Sequence, residues 1–81
     1  MPESKGTLLV IDDEPEIREA LETLLTLEGF AVETAPNASA GWERLEKKAY
    51  DLVLLDVALP DRSGLELLKD IRAAEIGRAH V

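Results

Sequence analysis

The sequence predicts an α/β domain with a doubly wound parallel sheet. Two continuous apolar runs, Leu8–Ile11 and Leu52–Leu55, are short and typical of strands that are covered on both faces. An alternating apolar and polar run, Phe30–Thr34, lies between them. A segment with helical spacing follows each of the three runs, so that strand and helix alternate three times along the 81 residues. Consecutive βα units with short connections imply parallel strands, right-handed crossovers and helices on both faces of the sheet.

The first unit combines a strand at Thr7–Ile11 with a helix that has Pro15 in its first turn. The apolar positions of this helix form one stripe, which consists of Ile17, Ala20, Leu21, Leu24 and Leu25. We expect Asp13 to cap the helix and Glu16, three residues later, to complete a capping box. Gly29 is expected to end the helix in the left-handed conformation.

The second unit begins with Phe30–Thr34, whose alternating pattern is typical of a half-covered strand. Asn37 is placed to cap the next helix, which keeps its spacing to about Lys48. Trp42 lies at a helical core position, so we expect it to pack in the core rather than to form a docking surface.

The third unit has a strand at Leu52–Leu55 that ends at Asp56, followed by a loop that contains Pro60. Ser63 and Glu66 offer a second capping box. The helix that follows has an apolar stripe made of Leu65, Leu68 and Ile71.

Composition excludes several classes of protein. Seventeen acidic and nine basic side chains give a formal net charge of −8, which argues against binding to nucleic acid or to an anionic membrane. The absence of cysteine excludes disulfides, thiolate zinc sites and cysteine nucleophiles. No apolar run approaches the roughly 20 residues of a membrane helix, and the first residues lack a signal-peptide core. We therefore expect a soluble, cytoplasmic domain.

Three aspartates stand at strand ends, where open α/β sheets bind ligands. Asp12 and Asp13 follow the first strand, and Asp56 follows the third. If the strand order is 2-1-3, these strands are neighbours and the three carboxylates meet, where their repulsion favours a bound cation. Oxygen ligands without His or Cys suit Mg²⁺. The pattern thus indicates a magnesium site in which one carboxylate is available as a nucleophile.

Two of these aspartates also have an ordinary structural explanation. Asp13 could be only a helix cap, and Asp56 could merely end a strand. However, two apolar strands that are neighbours in the predicted sheet both end in Asp. This coincidence favours a functional site over the two structural explanations. Dinucleotide binding is disfavoured because the loop after the first strand is acidic and lacks glycine. A phosphatase of the Asp-x-Asp type would need a carboxylate where Ala58 stands.

Three motifs together resemble the receiver domain of two-component response regulators: Leu8–Pro15, Asp51–Asp56, and Leu59-Pro60 with Gly64 four residues further on. The resemblance runs from about Thr7 to Arg72. It implies a flavodoxin-like doubly wound parallel sheet, here truncated to three strands in the order 2-1-3 with three helices. The segment also resembles receivers that are attached to transcription regulators.

The resemblance implies roles for individual residues. Asp56 would be the phosphoacceptor and would take a phosphoryl group from a sensor histidine kinase or a phosphotransfer protein. Mg²⁺ would be bound directly by Asp13, largely through water by Asp12, and also by Asp56 and the backbone carbonyl of Ala58. Such a module is a signalling switch that assists its own phosphotransfer, and it is not a turnover enzyme.

Two other functions stay open at this point. The first is a protein-interaction module of the same fold that never uses phosphate. The second, less favoured, is a metal-dependent phosphate hydrolase.

The resemblance covers the first three βα units of a five-stranded fold. In the family, a Ser/Thr after strand four and a Lys after strand five contact the phosphoryl group, and Lys69, in the third helix, does not replace that Lys. We therefore expect this fragment to be impaired. Its exposed third strand, Leu52–Leu55, is expected to invite self-association.

The chain is divided into a truncated receiver domain, residues 1–74, and a tail, residues 75–81. The tail can be encoded by DNA that, apart from its first base, resembles a widely used sequencing adapter. We therefore expect the tail to be non-native or disordered, and His80 within it to be solvated rather than a ligand.

Overall fold

The structure, a computed structural model, describes residues 5–74, so the predicted tail at 75–81 lies outside the described residues. The elements are, in chain order, β1 (Thr7–Ile11), α1 (Pro15–Leu27), β2 (Ala31–Ala35), α2 (Ala38–Lys47), β3 (Leu52–Leu55) and α3 (Gly64–Ala74). The strands form one parallel sheet in the order β2-β1-β3. The predicted α/β class, parallel sheet and strand order are therefore confirmed. Across residues 5–74, every helix is too short or too polar to cross a membrane.

β1 is the central strand and pairs on both sides. Leu9, for example, lies opposite Glu33 of β2 and Val53 of β3. β3 pairs only with β1 among residues 5–74, so it forms an edge of the sheet, as expected. Its self-association stays a prediction.

The core lies between one face of the sheet and the helices α2 and α3. Its buried members are Leu9, Ile11, Ala35, Ala38, Leu45, Tyr50, Val53, Leu59, Leu67 and Ile71. Trp42 is partly buried against this cluster, in agreement with the prediction that it packs in the core. The side chains of Leu8 and Val10, also buried, alternate to the opposite face of β1, where α1 packs.

α1 covers its face of the sheet incompletely. It has no buried residue, and Leu24 and Leu27 are 59% and 78% exposed. The helix still ends as predicted: Gly29 has a φ of 103°, and the N–H of Phe30 donates to the carbonyl of Leu25 at 3.1 Å, as in a Schellman motif. Because the Phe30 amide closes the helix, β2 starts one residue later than the sequence pattern indicates.

The predicted capping box at the start of α1 is wrong. Glu14, not Asp13, is the N-cap residue, and its side chain makes no capping hydrogen bond. Instead, Oδ1 of Asp12 accepts a hydrogen bond from the N–H of Glu14 at 2.9 Å. This turn places the helix start at Pro15, one residue beyond the position that an Asp13 cap requires, so Glu16 cannot close the box.

The other two predicted caps are present, one of them in part. Oδ1 of Asn37 accepts from the N–H of Ala40 at 2.8 Å. Oγ of Ser63 accepts from the N–H of Leu65 at 3.1 Å, but within the described residues the Glu66 side chain does not return the bond. The backbone of Ser63 forms an isolated antiparallel bridge with Ala58, on the other side of the loop.

Glu33 of β2 is bound by three side chains. The hydroxyl of Tyr50 donates to its Oε1 at 2.5 Å, Nζ of Lys48 donates to its Oε2 at 2.5 Å, and Arg44 lies 3.2 Å from Oε1. The hydrogen bond from Lys48, and to a smaller extent that from Tyr50, lowers the pKa of Glu33 below its ordinary value of 4.5. Burial and the Glu33 carboxylate raise the pKa of Tyr50, which stays protonated and donates. The cluster joins α2, β2 and the turn before β3.

We expect Glu33→Gln to lower the free energy of unfolding by about 0.5–1 kcal/mol at neutral pH. Because the folded-state pKa of Glu33 is depressed, its contribution is fully present above the unfolded-state pKa and is lost as the pH falls through the folded-state pKa. Urea denaturation of parent and variant at about pH 7 and about pH 2 measures this, and the difference should vanish at the lower pH. Glu43→Gln, an exposed position on α2, is the control; equal losses for Glu33→Gln at both pH values would contradict the prediction.

Candidate functional site

The sheet holds Asp12 and Asp56 side by side. The N–H of Asp12 donates to the carbonyl of Ala35 at 3.1 Å, and the N–H of Asp56 donates to the carbonyl of Ile11 at 3.0 Å. The hydrogen-bond ladder thus continues one residue past β1 and past β3. Both aspartates leave the sheet at the same edge, at the carboxyl ends of neighbouring parallel strands, where ligands of open α/β sheets bind.

The structure brings together the three aspartates that the sequence singles out. Each of Asp12, Asp13 and Asp56 offers a carboxylate oxygen, and these oxygens all lie within 4.8 Å of one another. Asp12 and Asp56 are half-buried and Asp13 is exposed. Three negative charges at this separation repel one another, and a divalent cation among them would relieve the repulsion. A set of oxygen donors fits Mg²⁺, which binds through a few carboxylates and retains several waters.

Local hydrogen bonds orient the carboxylates and leave oxygens available. Oδ1 of Asp12 accepts from Glu14, and Oδ1 of Asp56 accepts from the N–H of Ala58 at 3.0 Å. Within residues 5–74, Oδ2 of Asp56 and the carboxylate of Asp13 accept no hydrogen bond. Each aspartate therefore keeps at least one oxygen for a cation or a reacting group.

The loop after Asp56 is closed on itself. Ala58, whose carbonyl is the remaining predicted ligand, donates its N–H to Asp56 and forms the antiparallel bridge with Ser63. The backbone at Ala58 is thereby fixed next to the Asp56 side chain.

Gly64 allows α3 to begin directly against this loop. A Cβ atom at Gly64 would lie 2.2 Å from the carbonyl oxygen of Asp56 and 2.9 Å from Cα of Val57, both of them backbone atoms. The N–H of Gly64 also donates to the carbonyl of Val57 at 3.0 Å. Only glycine permits this approach, so the start of α3 sets the course of the chain after Asp56.

Sequence analysis missed Arg18. From α1, its NH1 donates to the carbonyl of Asp12 at 2.8 Å, which ties the helix to the backbone of the acidic pair and brings a positive charge close to it. No local pattern signals this bond, because it depends on the path of the turn between β1 and α1.

An open cleft of about 470 Å³ lies beside the acidic group, between α1 and the exposed side of β3. Its lining is Val10, Ile11, Asp12, Glu14, Ile17, Leu21, Leu54, Leu55 and Asp56. Asp12 and Asp56 thus lie at the edge of a largely apolar surface, on the face of the sheet that α1 covers incompletely.

Comparison with known proteins gives a consistent set of relatives. A family model described as the response regulator receiver domain matches residues 8–80. The transcriptional regulatory protein CpxR homolog of Haemophilus influenzae is 55% identical over 67 residues, which are 80% of this chain and 28% of that protein. The transcriptional regulatory protein DltR of Streptococcus agalactiae is 48% identical over 67 residues, 83% of this chain and 30% of that protein.

Solved structures agree with these sequence matches. The response regulator TrrA of Thermotoga maritima, solved in complex with Mg²⁺-BeF, is 42% identical with a TM-score of 0.82, and the match covers 85% of this chain and 60% of that chain. A complex of TrrA with the histidine kinase ThkA matches with 39% identity and a TM-score of 0.82, over 90% of this chain and 64% of that chain. The chain therefore spans less than a third of the two curated relatives and about three fifths of these solved chains.

We expect Gly64→Ala to lower the free energy of unfolding by about 1 kcal/mol or more. The overlap of the new Cβ with backbone costs about 1–3 kcal/mol, which outweighs the smaller gain from replacing a helical glycine. Urea denaturation measures the loss, and amide NMR signals of Asp56 and Val57 should shift because their backbone must move.

Leu65→Ala, at the next position and 58% exposed, is the control and should change stability by less than about 0.5 kcal/mol. A Gly64→Ala variant as stable as the parent, with unchanged signals at Asp56, would contradict the assigned packing.

Proposed function

The chain belongs to the response regulator receiver domain family, and on this basis we propose that Asp56 is its phosphoacceptor, with Mg²⁺ as the cofactor. The observation that carries the proposal is the meeting of three carboxylates at the ends of neighbouring strands, each with an oxygen that accepts no hydrogen bond within residues 5–74. Receiver domains of this family are signalling modules of two-component systems.

Asp56 has the features of a positioned nucleophile. The Ala58 N–H holds its Oδ1, so Oδ2 is the oxygen that attacks the phosphorus of a phosphohistidine on a sensor kinase or phosphotransfer protein. The new O–P bond forms as the P–N bond breaks, and the imidazole leaves with the electron pair. The products are an aspartyl phosphate on this chain and an unmodified histidine on the partner. The TrrA–ThkA complex supports a histidine kinase as the partner class.

Four groups of this chain would hold the cation. They are the carboxylates of Asp12, Asp13 and Asp56 and the backbone carbonyl of Ala58. When bound, Mg²⁺ neutralises and orients the transferring phosphoryl group. Without a cation, the three carboxylates would repel that group, so phosphotransfer should depend on it. TrrA, solved with Mg²⁺-BeF, supports the choice of metal.

The curated relatives support a proposal for the role of the wider protein. CpxR homolog and DltR are named as transcriptional regulatory proteins, and this chain aligns with less than a third of each. We propose that the receiver controls transcription from the cytoplasm, with DNA contacted by another domain because the net charge of −8 opposes contact by this one.

Cation binding can be tested by NMR. Titration of the chain with Mg²⁺ should shift amide signals near Asp12, Asp13 and Asp56 and leave the rest in place. Asp13→Asn should weaken binding by at least about tenfold, since an exposed ligand carboxylate is lost. Glu22→Gln, with the same charge change on the exposed surface of α1, should bind like the parent. Equal affinity for parent and Asp13→Asn would refute the assignment.

Phosphoryl transfer can be tested with a small phosphodonor such as phosphoramidate. Intact-mass spectrometry of the parent chain with Mg²⁺ should reveal one added phosphoryl group. Asp56→Asn should abolish the addition because an amide oxygen is a poor nucleophile. Asp70→Asn, an exposed position on α3, is the matched control and should be phosphorylated like the parent. Phosphorylation that survives Asp56→Asn would exclude this residue as the acceptor.

A further inference from the structure

One carboxylate outside the acidic group ties the loop after Asp56 to a different helix. Oδ1 of Asp61 accepts from the N–H of Ala38 at 2.9 Å, and Oδ2 accepts from the N–H of Ser39 at 2.9 Å. The hydrogen bond from the N–H of Ala38 is the main reason that the pKa of Asp61 is lowered, so the carboxyl group is ionised at neutral pH. A negative charge at a helix N-terminus is also favourable to the helix dipole.

α2 does not need Asp61 in order to begin. Asn37 already caps it: the Asn37 side chain accepts from Ala40, and the Asn37 carbonyl accepts from the N–H of Gly41 at 3.0 Å. Asn is among the residues that most favour the N-cap position. The two bonds of Asp61 therefore add a connection between α2 and a loop that lies more than 20 residues further along the chain.

α2 is itself seated at the end of β1. A Cβ atom at Gly41 would lie 2.4 Å from Cδ1 of Ile11, the fully buried residue that precedes Asp12. The first turn of α2 is thus packed against the strand end that carries the acidic pair. A loop that is fastened to this turn is positioned relative to Asp12.

Asp61 lies between the two halves of the bridge that closes the loop, Ala58 and Ser63. The bridge joins the two ends of the loop, and the close contact at Gly64 holds the loop against α3. Arg62, next to Asp61, also forms an ion pair with Asp70 of α3 at 2.7 Å. Among the hydrogen bonds of residues 5–74, the two to Asp61 are those that fasten this loop to α2.

We propose that Asp61 is a positioning residue of the metal site. By holding the loop against α2, it fixes the backbone of Ala58 and the orientation of Asp56 relative to the end of β1. The inference rests on the proposed function, because Ala58 and Asp56 are assigned there as metal ligands. Removal of the Asp61 carboxylate should loosen the loop and weaken Mg²⁺ binding without touching a ligand.

The test compares two variants that each remove hydrogen bonds to the same helix end. Asn37→Ala removes a cap that does not reach the loop, whereas Asp61→Ala removes the connection to it. Both should lower the thermal midpoint. Only Asp61→Ala should accelerate hydrogen exchange of the Ala58 amide, by about tenfold. Only this variant should also reduce Mg²⁺ affinity, again by about tenfold, which is the lower end of the loss that is typical when a group that orients a metal ligand is removed.

Two further variants make the comparison sharper. Arg62→Ala breaks the loop's ion pair with α3 and should leave the exchange of the Ala58 amide near the parent value. Asp61→Asn keeps the shape of the side chain but has only one oxygen that can accept a hydrogen bond, so its effects should fall between those of the parent and Asp61→Ala. It also provides a folded variant if Asp61→Ala is too unstable to study.

The outcomes separate this inference from the proposed function. If Asp61→Ala or Asp61→Asn changes Ala58 exchange no more than Asn37→Ala does, Asp61 is an ordinary helix cap and the inference is overturned, while Mg²⁺ binding by the parent still supports the function. If the parent binds no Mg²⁺, the metal-site role fails together with the proposed function. Faster Ala58 exchange confined to the Asp61 variants would then show a structural tether alone.

Discussion

The continuous hydrogen-bond ladder across β2, β1 and β3 is the constraint on which the rest of this structure depends. β1 is bonded along both of its edges, and its buried side chains alternate between the α1 face and the face covered by α2 and α3. The ladder extends one residue past the strands, through the amides of Asp12 and Asp56. The same bonds that build the sheet therefore set the separation of the carboxylates, and a slip in register would disperse them.

Close backbone packing at two glycines holds this acidic edge together. Gly41 lets α2 rest on Ile11 at the end of β1, and Gly64 lets α3 begin against the backbone of Asp56. Both contacts are made by helices on one face of the sheet. The like charges are thus brought together by the packing of the helices and by backbone hydrogen bonds of the sheet, and a divalent cation would relieve their repulsion.

The two faces of the sheet are unequally covered. α2 and α3 enclose a buried cluster, whereas α1 buries none of its residues and leaves Leu24 exposed. Ile17 of α1 is also exposed and lines the cleft near Asp56. The family match and the shared fold nevertheless extend across α1. The arrangement of the acidic group therefore relies on the α2 and α3 side, and on the Arg18 bond to the Asp12 carbonyl, more than on burial of α1.

Sequence pattern determined the three βα units and placed Asp12, Asp13 and Asp56 at one edge of a parallel sheet, because its short apolar strands end in aspartate. The order 2-1-3, which makes the strands of these aspartates neighbours, came from the resemblance of the sequence to receiver domains. Local spacing failed at the start of α1, where Glu14 rather than Asp13 is the N-cap residue and Asp12 accepts a hydrogen bond from the N–H of Glu14. Only the tertiary structure showed that Asp61 bonds to α2, because residues over 20 positions apart share no periodic pattern. Periodicity fixes which face a residue occupies, whereas the path of each turn decides which polar groups meet.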